Sequence, residues 1–209
     1  MRYFITFEGI EGCGKSTQSK LLSDYLNSAG YDVLMTREPG GPPISEKIRD
    51  ILLANEHHKM LPETELLLYM ASRAQHTGEW IMPALNEGKI VICDRYSDSS
   101  IAYQGGGRDL DLDMIREMIR FATFGLVPDL TFLIDIPAEV GIERIKQKAP
   151  DRIESEAIAF HRKVRNVFLN VAKQETYRYI IINGNDDITS IQSQIREITV
   201  RRLKDGKIG

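Results

Sequence analysis

Residues 3–17 read Tyr-Phe-Ile-Thr-Phe-Glu-Gly-Ile-Glu-Gly-Cys-Gly-Lys-Ser-Thr, and this stretch decides the fold. Residues 3–7 form a short, nearly apolar run of the kind found in strands covered on both faces. Gly9, Ile10, Glu11, Gly12, Cys13, Gly14, Lys15 and Ser16 then match G-x-x-x-x-G-K-[ST] at every fixed position. Thr17 follows inside a segment of helical period, 15–29. Strand, glycine loop and helix are the context the chemistry needs. The glycines let successive backbone N–H groups turn inward around phosphate oxygens, and the helix N-terminus adds partial positive charge. Lys15 is placed to reach the β- and γ-phosphates, and the Ser16 hydroxyl to join a Mg²⁺ shell. The pattern predicts nucleoside triphosphate binding, and GTPases, ATPases and small-molecule kinases all share it.

Outward from this loop, four more short apolar runs fall at 32–36, 90–93, 130–135 and 179–182. Amphipathic segments at 44–54, 63–87, 112–124, 137–148, 153–175 and 188–204 separate or follow them. The alternation predicts an α/β fold, a five-stranded parallel sheet with helices on both faces, joined by right-handed crossovers. No repeat or Pro/Gly/Ser linker divides the 209 residues, so a single domain spanning 1–209 is expected. Three stretches, 37–43 (REPGGPP), 104–109 (QGGGRD) and 146–153 (KQKAPDRI), read as loops. In open sheets ligands gather beyond the carboxyl ends of the strands, where these loops can share one mouth.

Composition narrows the partners. With 27 Lys plus Arg against 30 Asp plus Glu the formal net charge is −3, which argues against a dedicated nucleic-acid-binding surface. No run approaches the roughly 18 apolar residues that span a bilayer, and residues 1–9 lack the form of a signal peptide. The two cysteines, Cys13 and Cys93, are too few for a disulfide framework or a zinc site. A cytoplasmic protein with reduced thiols, small-molecule ligands and no membrane partner is the expectation.

A second group of anion-seeking residues sits near the strand ends. Asp94 follows the run 90–93 and suits a carboxylate that holds Mg²⁺ directly or through water. Arg95 beside it and Arg37 after the second run are guanidinium groups at a cleft, which want an anion. Beside a triphosphate loop they suggest the phosphate of an acceptor. Taken singly, each is equally well a solvated or ion-paired surface group.

Together these blocks resemble the thymidylate kinase family: FEGIEGCGKST at 7–17, TREPGG at 36–41, Tyr69 four residues before Arg73 in LYMASRAQH, and DRYSDSSIAYQGGGR at 94–108. The likeness runs on to DRIE at 151–154. The resemblance implies a P-loop kinase fold with a short helical lid at about 137–153. It implies transfer of the γ-phosphoryl group of ATP to dTMP with Mg²⁺ as cofactor, and a homodimer packed through helices. By the same likeness, Arg37 and Arg95 would bind the dTMP phosphate, Tyr69 would stack on thymine and Arg73 would bond its edge. Ser99, Ser100 and Gln104 would lie near the base. Tyr103 would crowd the ribose 2′ position, and Glu11 would touch the 3′-hydroxyl or the metal shell. Periodicity alone would instead place Tyr69 in the core, and 104–107 alone reads as a flexible turn.

Some members of the family carry an arginine in the P-loop at the position occupied here by Gly12. The related bacterial type carries its compensating charge in the lid. This chain has Arg144, Lys146, Lys148 and Arg152 there. The likeness assigns Arg152 to the transferring phosphoryl group and Arg144 to the adenine; by charge pattern alone the same stretch is a solvated helix face. Two departures stand out: Pro42-Pro43 where the family usually has Thr after TREPGG, and Asp98, to which nothing in the sequence gives a role.

Overall fold

The computed structural model describes residues 2–146 and 149–205. Five strands, β1 (Tyr3–Glu8), β2 (Val33–Arg37), β3 (Ile90–Asp94), β4 (Leu130–Asp135) and β5 (Tyr179–Asn183), form one parallel sheet in the order β2-β3-β1-β4-β5. Register aligns their carboxyl ends, with Phe7 and Arg37 both opposite Asp94, and Glu8 opposite Leu133. Side chains alternate between two faces, as the pleat demands. Ile5, Phe7, Ile92 and Phe132 pack with Leu22 and Leu26 of α1 (Lys15–Ser28), Val164 and Phe168 of α8 (Ile158–Gln174), and Ile195 of α9 (Ile188–Asp205). Phe4, Val91 and Cys93 pack on the opposite face with Ile81 and Leu85. Each such side chain, fully buried, contributes about 1.5–3 kcal/mol.

The remaining helices are α2 (Pro43–Leu53), α3 (Pro62–His76), α4 (Met82–Asn86), α5 (Ser97–Ser100), α6 (Leu112–Ala122) and α7 (Ala138–Ile145). None of the described helices is long and apolar enough to cross a membrane. Four expectations need correction. The helix read over 63–87 is not uniform: a π-helical turn at Thr77–Ile81 joins α3 to α4. Pro83 sits in the first turn of α4, where its missing N–H and ring disrupt a continuous α-helical ladder.

The second correction is larger. Residues 104–107, read as loop, belong to a π-helical turn, Ile101–Gly107, continuous with α5. The glycines are there for contact: a Cβ on Gly105, Gly106 or Gly107 would lie 2.4 Å from Leu112, Val167 or Phe160 respectively. Third, α8 begins at Ile158, later than residue 153. Asp151 Oδ1 accepts the N–H groups of Ile153 and Glu154, both at 2.9 Å, and so folds the preceding residues into turns. The helix read to residue 148 ends at Ile145; Lys148 lies outside the described residues. Pro42 and Pro43 start α2, with Pro42 O accepting from Glu46 N at 2.9 Å, a use proline suits because its N–H would be idle there.

Candidate active site

Beyond the ends of β1, β2 and β3 lies a cleft of about 250 Å³. Glu11, Gly12, Lys15 and Ser16 of the P-loop line it together with Arg37, Tyr69, Arg73, Arg95, Tyr103 and Gln104. The Lys15 ammonium is buried and donates to Ile10 O at 2.7 Å, with Cys13 Sγ at 3.4 Å. Gly9, Ile10 and Cys13 thus form the wall behind it, while Gly14, Ser16 and Thr17 are exposed at the rim. Ser16 Oγ donates to Asp94 Oδ2, and Asp94 Oδ1 is buried with no partner among the described residues. A hydroxyl paired to a carboxylate with a spare oxygen is a donor set that fits Mg²⁺, which keeps several waters and uses few protein ligands.

Gly12 explains the missing P-loop arginine. Its φ is +69°, and a Cβ there would lie 2.2 Å from the carbonyl oxygen of Gly141 in α7; a Cβ on Gly141 would meet Glu11 O at 2.3 Å. Backbone rests on backbone, so residue 12 has no room for a side chain. Arg144, also on α7, donates to Gly184 O at 3.2 Å and reaches Gly12 O at 3.4 Å. It therefore stands beside the P-loop, outside the lining of the cleft.

Arg95 ties the end of β3 to the P-loop. Its Nη1 donates to Gly9 O (2.9 Å) and Ser99 Oγ (3.3 Å), and its Nη2 to Glu11 Oε1 (3.0 Å). The guanidinium lies 5.0 Å from the Tyr103 ring centre. Arg37 is half exposed and held by Glu46 Oε2 at 2.9 Å. Arg73 is fully buried; Nε donates to Glu38 Oε2 (2.8 Å), Nη1 to Ser100 Oγ (2.9 Å) and Nη2 to Tyr96 O (2.9 Å). Tyr69 is half-buried: it packs against the cluster of Leu66, Met70 and Ile115, as periodicity suggests, and also lines the cleft. Gln104 is turned toward Glu65, donating from Nε2 at 2.8 Å.

Arg152 departs from expectation. It is buried, and the cleft is lined by Asp151, Ile153 and Glu154 but not by Arg152. Its Nε donates to Leu52 O (2.9 Å) and its Nη1 to Glu65 Oε2 (2.6 Å). The cause is Glu65, a buried carboxylate on α3 that also gathers Arg108 (3.0 Å) and Gln104; such a charge is tolerable inside only when paired. Asp98, unassigned from sequence, forms a two-pronged pair with Arg178 at 2.8 Å and 2.8 Å, tying α5 to the start of β5.

Four residues escaped the sequence reading. Arg49 on α2 lines the cleft and donates to Pro39 O at 2.7 Å; burial and the neighbouring Arg37 charge push its guanidinium below the usual range, as expected of cations gathered for an anion. Glu38 accepts from Arg73 Nε at 2.8 Å, and His161 Nδ1 lies 3.2 Å from Glu11 Oε2. Glu8 is the fourth: its Oε1 accepts from Tyr96 N (2.8 Å) and Oε2 from Ser99 Oγ (2.7 Å). Burial and the Asp98 carboxylate push its pKa from 4.5 up to about 7, against the pull of Arg95. A carboxyl with a raised folded-state pKa gives its full stabilisation below the unfolded value, and loses it as pH rises through about 7. Urea unfolding of the wild type should therefore show stability falling over this range, and Glu8→Gln, which cannot ionise, should flatten the fall.

A triphosphate loop facing an arginine-lined pocket, across one cleft of a β2-β3-β1-β4-β5 sheet, defines a P-loop kinase of phosphorylated acceptors. The family described as Thymidylate kinase matches residues 7–195 of the chain. A thymidylate kinase of Geotalea uraniireducens (strain Rf4) is 47% identical over 213 residues, covering 99% of this chain and 100% of that protein. One from Lactobacillus acidophilus is 49% identical over 205 residues, covering 96% and 95%. The crystal structure of a thymidylate kinase from Ehrlichia chaffeensis matches with a TM-score of 0.77 at 36% identity, covering 94% of this chain and 97% of that one. The chain belongs to the thymidylate kinase family.

Proposed function

We infer that the chain transfers the γ-phosphoryl group of ATP to dTMP, giving dTDP and ADP, with both nucleotides held in the one cleft. The observation that supports this reading is that Lys15 and Arg95 line the same cleft, on a chain of this family. The transferring group spreads negative charge over its equatorial oxygens, so catalysis is largely positioning and positive charge. Lys15 serves the ATP end. Arg37, Arg49 and Arg95 hold the acceptor phosphate in line. Tyr69 and Arg73 take the base, with Ser99, Ser100 and Gln104 near it. Tyr103 and Glu11 face the sugar, and Arg144 takes the adenine. Ser16 and Asp94 would hold Mg²⁺, which when bound supplies further positive charge to the phosphate oxygens.

In this reading Arg152 acts through Glu65, docking the turn after α7, within a lid of about 137–153, onto α2 and α3. Removing one partner of a buried pair costs about 3–5 kcal/mol, here toward the low end because Glu65 keeps Arg108 and Gln104. Arg152→Ala should thus lower Tm by roughly 6–12 °C and raise the KM for dTMP more than it lowers kcat. A loss confined to kcat with an unchanged melt would return Arg152 to the transferring phosphoryl group.

Leu67 on α3 and Met114 and Phe121 on α6 are exposed, Phe121 at 84%. A second copy of the chain is the occupant that the family resemblance implies for these helices. Mass measurement in solution should find a dimer, and Phe121→Glu should give monomer. Cys13 and Cys93 are free and buried, which suits a reducing, cytoplasmic setting. The direct test is ADP release with dTMP, dUMP, CMP and thymidine, with and without Mg²⁺. dTMP should be turned over best and only with the metal; equal turnover of thymidine, which carries no phosphate for the arginines, would overturn the assignment.

A further inference from the structure

Glu11 is where three segments of the chain meet. Its Oε1 accepts from Arg95 Nη2 at 3.0 Å and from the Tyr103 hydroxyl at 2.5 Å. Its Oε2 lies 3.2 Å from Nδ1 of His161, in the first turn of α8. The His161 ring is fully buried and stands edge-on to Phe160 at 5.4 Å. Its Nε2 is buried with no partner among the described residues. Leaving such a group unpaired is unfavourable, so burying this ring here is offset chiefly by the bond to Glu11. Burial alone would raise the Glu11 pKa; Arg95, His161, Lys15 and Tyr103 outweigh it and hold the carboxyl well below its usual range. Glu11 is therefore an anion that only accepts, and the hydrogen on the facing side of the ring sits on Nδ1.

We propose that His161 is a positioning residue for the choice of acceptor sugar. By occupying Oε2 it stops the Glu11 carboxylate from turning, which leaves Oε1 to fix the Tyr103 phenol in the cleft. Among the described residues the Tyr103 hydroxyl has no other hydrogen bond: Arg95 stands 5.0 Å from the ring centre and Phe160 and Phe168 at 6.1 Å, contacts that hold the ring and leave the hydroxyl itself to Glu11. A phenol held at a fixed place excludes a 2′-hydroxyl, and a phenol free to move makes room for one. His161 thus favours 2′-deoxyribonucleoside monophosphates over ribonucleotides carrying the same base. This inference rests on the reading that Glu11 and Tyr103 face the acceptor sugar.

The test compares kcat/KM for dTMP with that for ribothymidine 5′-monophosphate, which differs only by the 2′-hydroxyl. Three variants separate the contributions: His161→Ala, His161→Phe, which keeps a ring and loses the donor, and His161→Asn, which keeps an amide donor near the position of Nδ1. Loss of one buried hydrogen bond to a charge corresponds to about tenfold, so the deoxy-to-ribo ratio should fall about tenfold in the Ala and Phe variants. His161→Asn should recover most of it. Thermal melts show which variants fold, and the Phe variant serves if the Ala variant does not. A ratio unchanged in folded Phe or Ala variant, or a fall in Ala that Phe restores, overturns the proposal, the latter by assigning the effect to packing. Glu11→Gln and Tyr103→Phe isolate the underlying reading. If they shift the ratio while the His161 variants do not, only the role of His161 fails. If they too leave it unchanged, Glu11 and Tyr103 are not beside the sugar and both fall.

Discussion

Lys15→Ala should lower kcat by about 10³-fold or more while leaving the chain folded. The ammonium already stands inside the loop, buried and bonded to Ile10 O at 2.7 Å. Groups aimed in advance at developing charge in a water-poor site are the ones whose loss costs most. The fold should survive because the P-loop is held by other contacts: Gly12 against Gly141, and Glu11 against Arg95, Tyr103 and His161. Lys15→Arg should not rescue activity, since a planar guanidinium cannot fill a cradle shaped around a point charge. Steady-state ADP release against a thermal melt checks this; turnover within tenfold of wild type would remove Lys15 from the transferring phosphate.

The sheet was legible because buried parallel strands leave an unmistakable trace. Each of the five apolar runs became a strand with ends within one or two residues, as at β2, which runs to Arg37 where the run had ended at Thr36. The P-loop was legible because G-x-x-x-x-G-K-[ST] is a compact local motif, although the backbones of Ile134 and Gly141, far along the chain, also require Gly9 and Gly12. Contacts between distant segments were not legible. Residues 105–107 read as a flexible turn because glycine has one composition signal and two uses, and only the approach of Leu112, Val167 and Phe160 shows which applies.

The same limit decided the site. Arg152 reads as a phosphate ligand in DRIE, but its neighbour is Glu65, eighty-seven residues earlier on α3. Glu65 sits in the pattern of a charged first helical turn, where an acid is favoured simply by the helix dipole. Nothing local marks it as buried. His161 and Glu38 were missed for the mirror-image reason: they touch Glu11 and Arg73 across 150 and 35 residues of sequence. Arg49 sits among Lys47 and Asp50 in what reads as an ordinary solvated face. Residues inside a local motif announce themselves, whereas Arg49, Glu65 and His161, which lie outside any motif, are visible only once the chain is folded.

Replacement of Arg95 should be the second large effect. Arg95→Ala should lower kcat/KM for dTMP by about 10³-fold, chiefly through a raised KM, because the acceptor phosphate loses a preset guanidinium. Arg95→Lys should fall between, since one ammonium cannot span Gly9 O and Glu11 Oε1 while stacking on Tyr103. The backbone gives a sharper test. Arg95 has φ +69°, a left-handed conformation that costs a non-glycine residue about 1–2 kcal/mol. Its N–H donates to Phe7 O at 2.9 Å, so the turn is locked to β1 and the strain is held in place by the sheet. Arg95→Gly should be as inactive as Arg95→Ala yet about 1 kcal/mol more stable than it in urea unfolding, since glycine adopts that conformation freely. If Ala and Gly were equally stable, the turn would relax on losing the guanidinium, and the strain would belong to the side chain's bonds to Gly9 and Glu11. If Gly is the more stable, the strain belongs to the backbone, held in place by the bond from Arg95 N–H to Phe7 O.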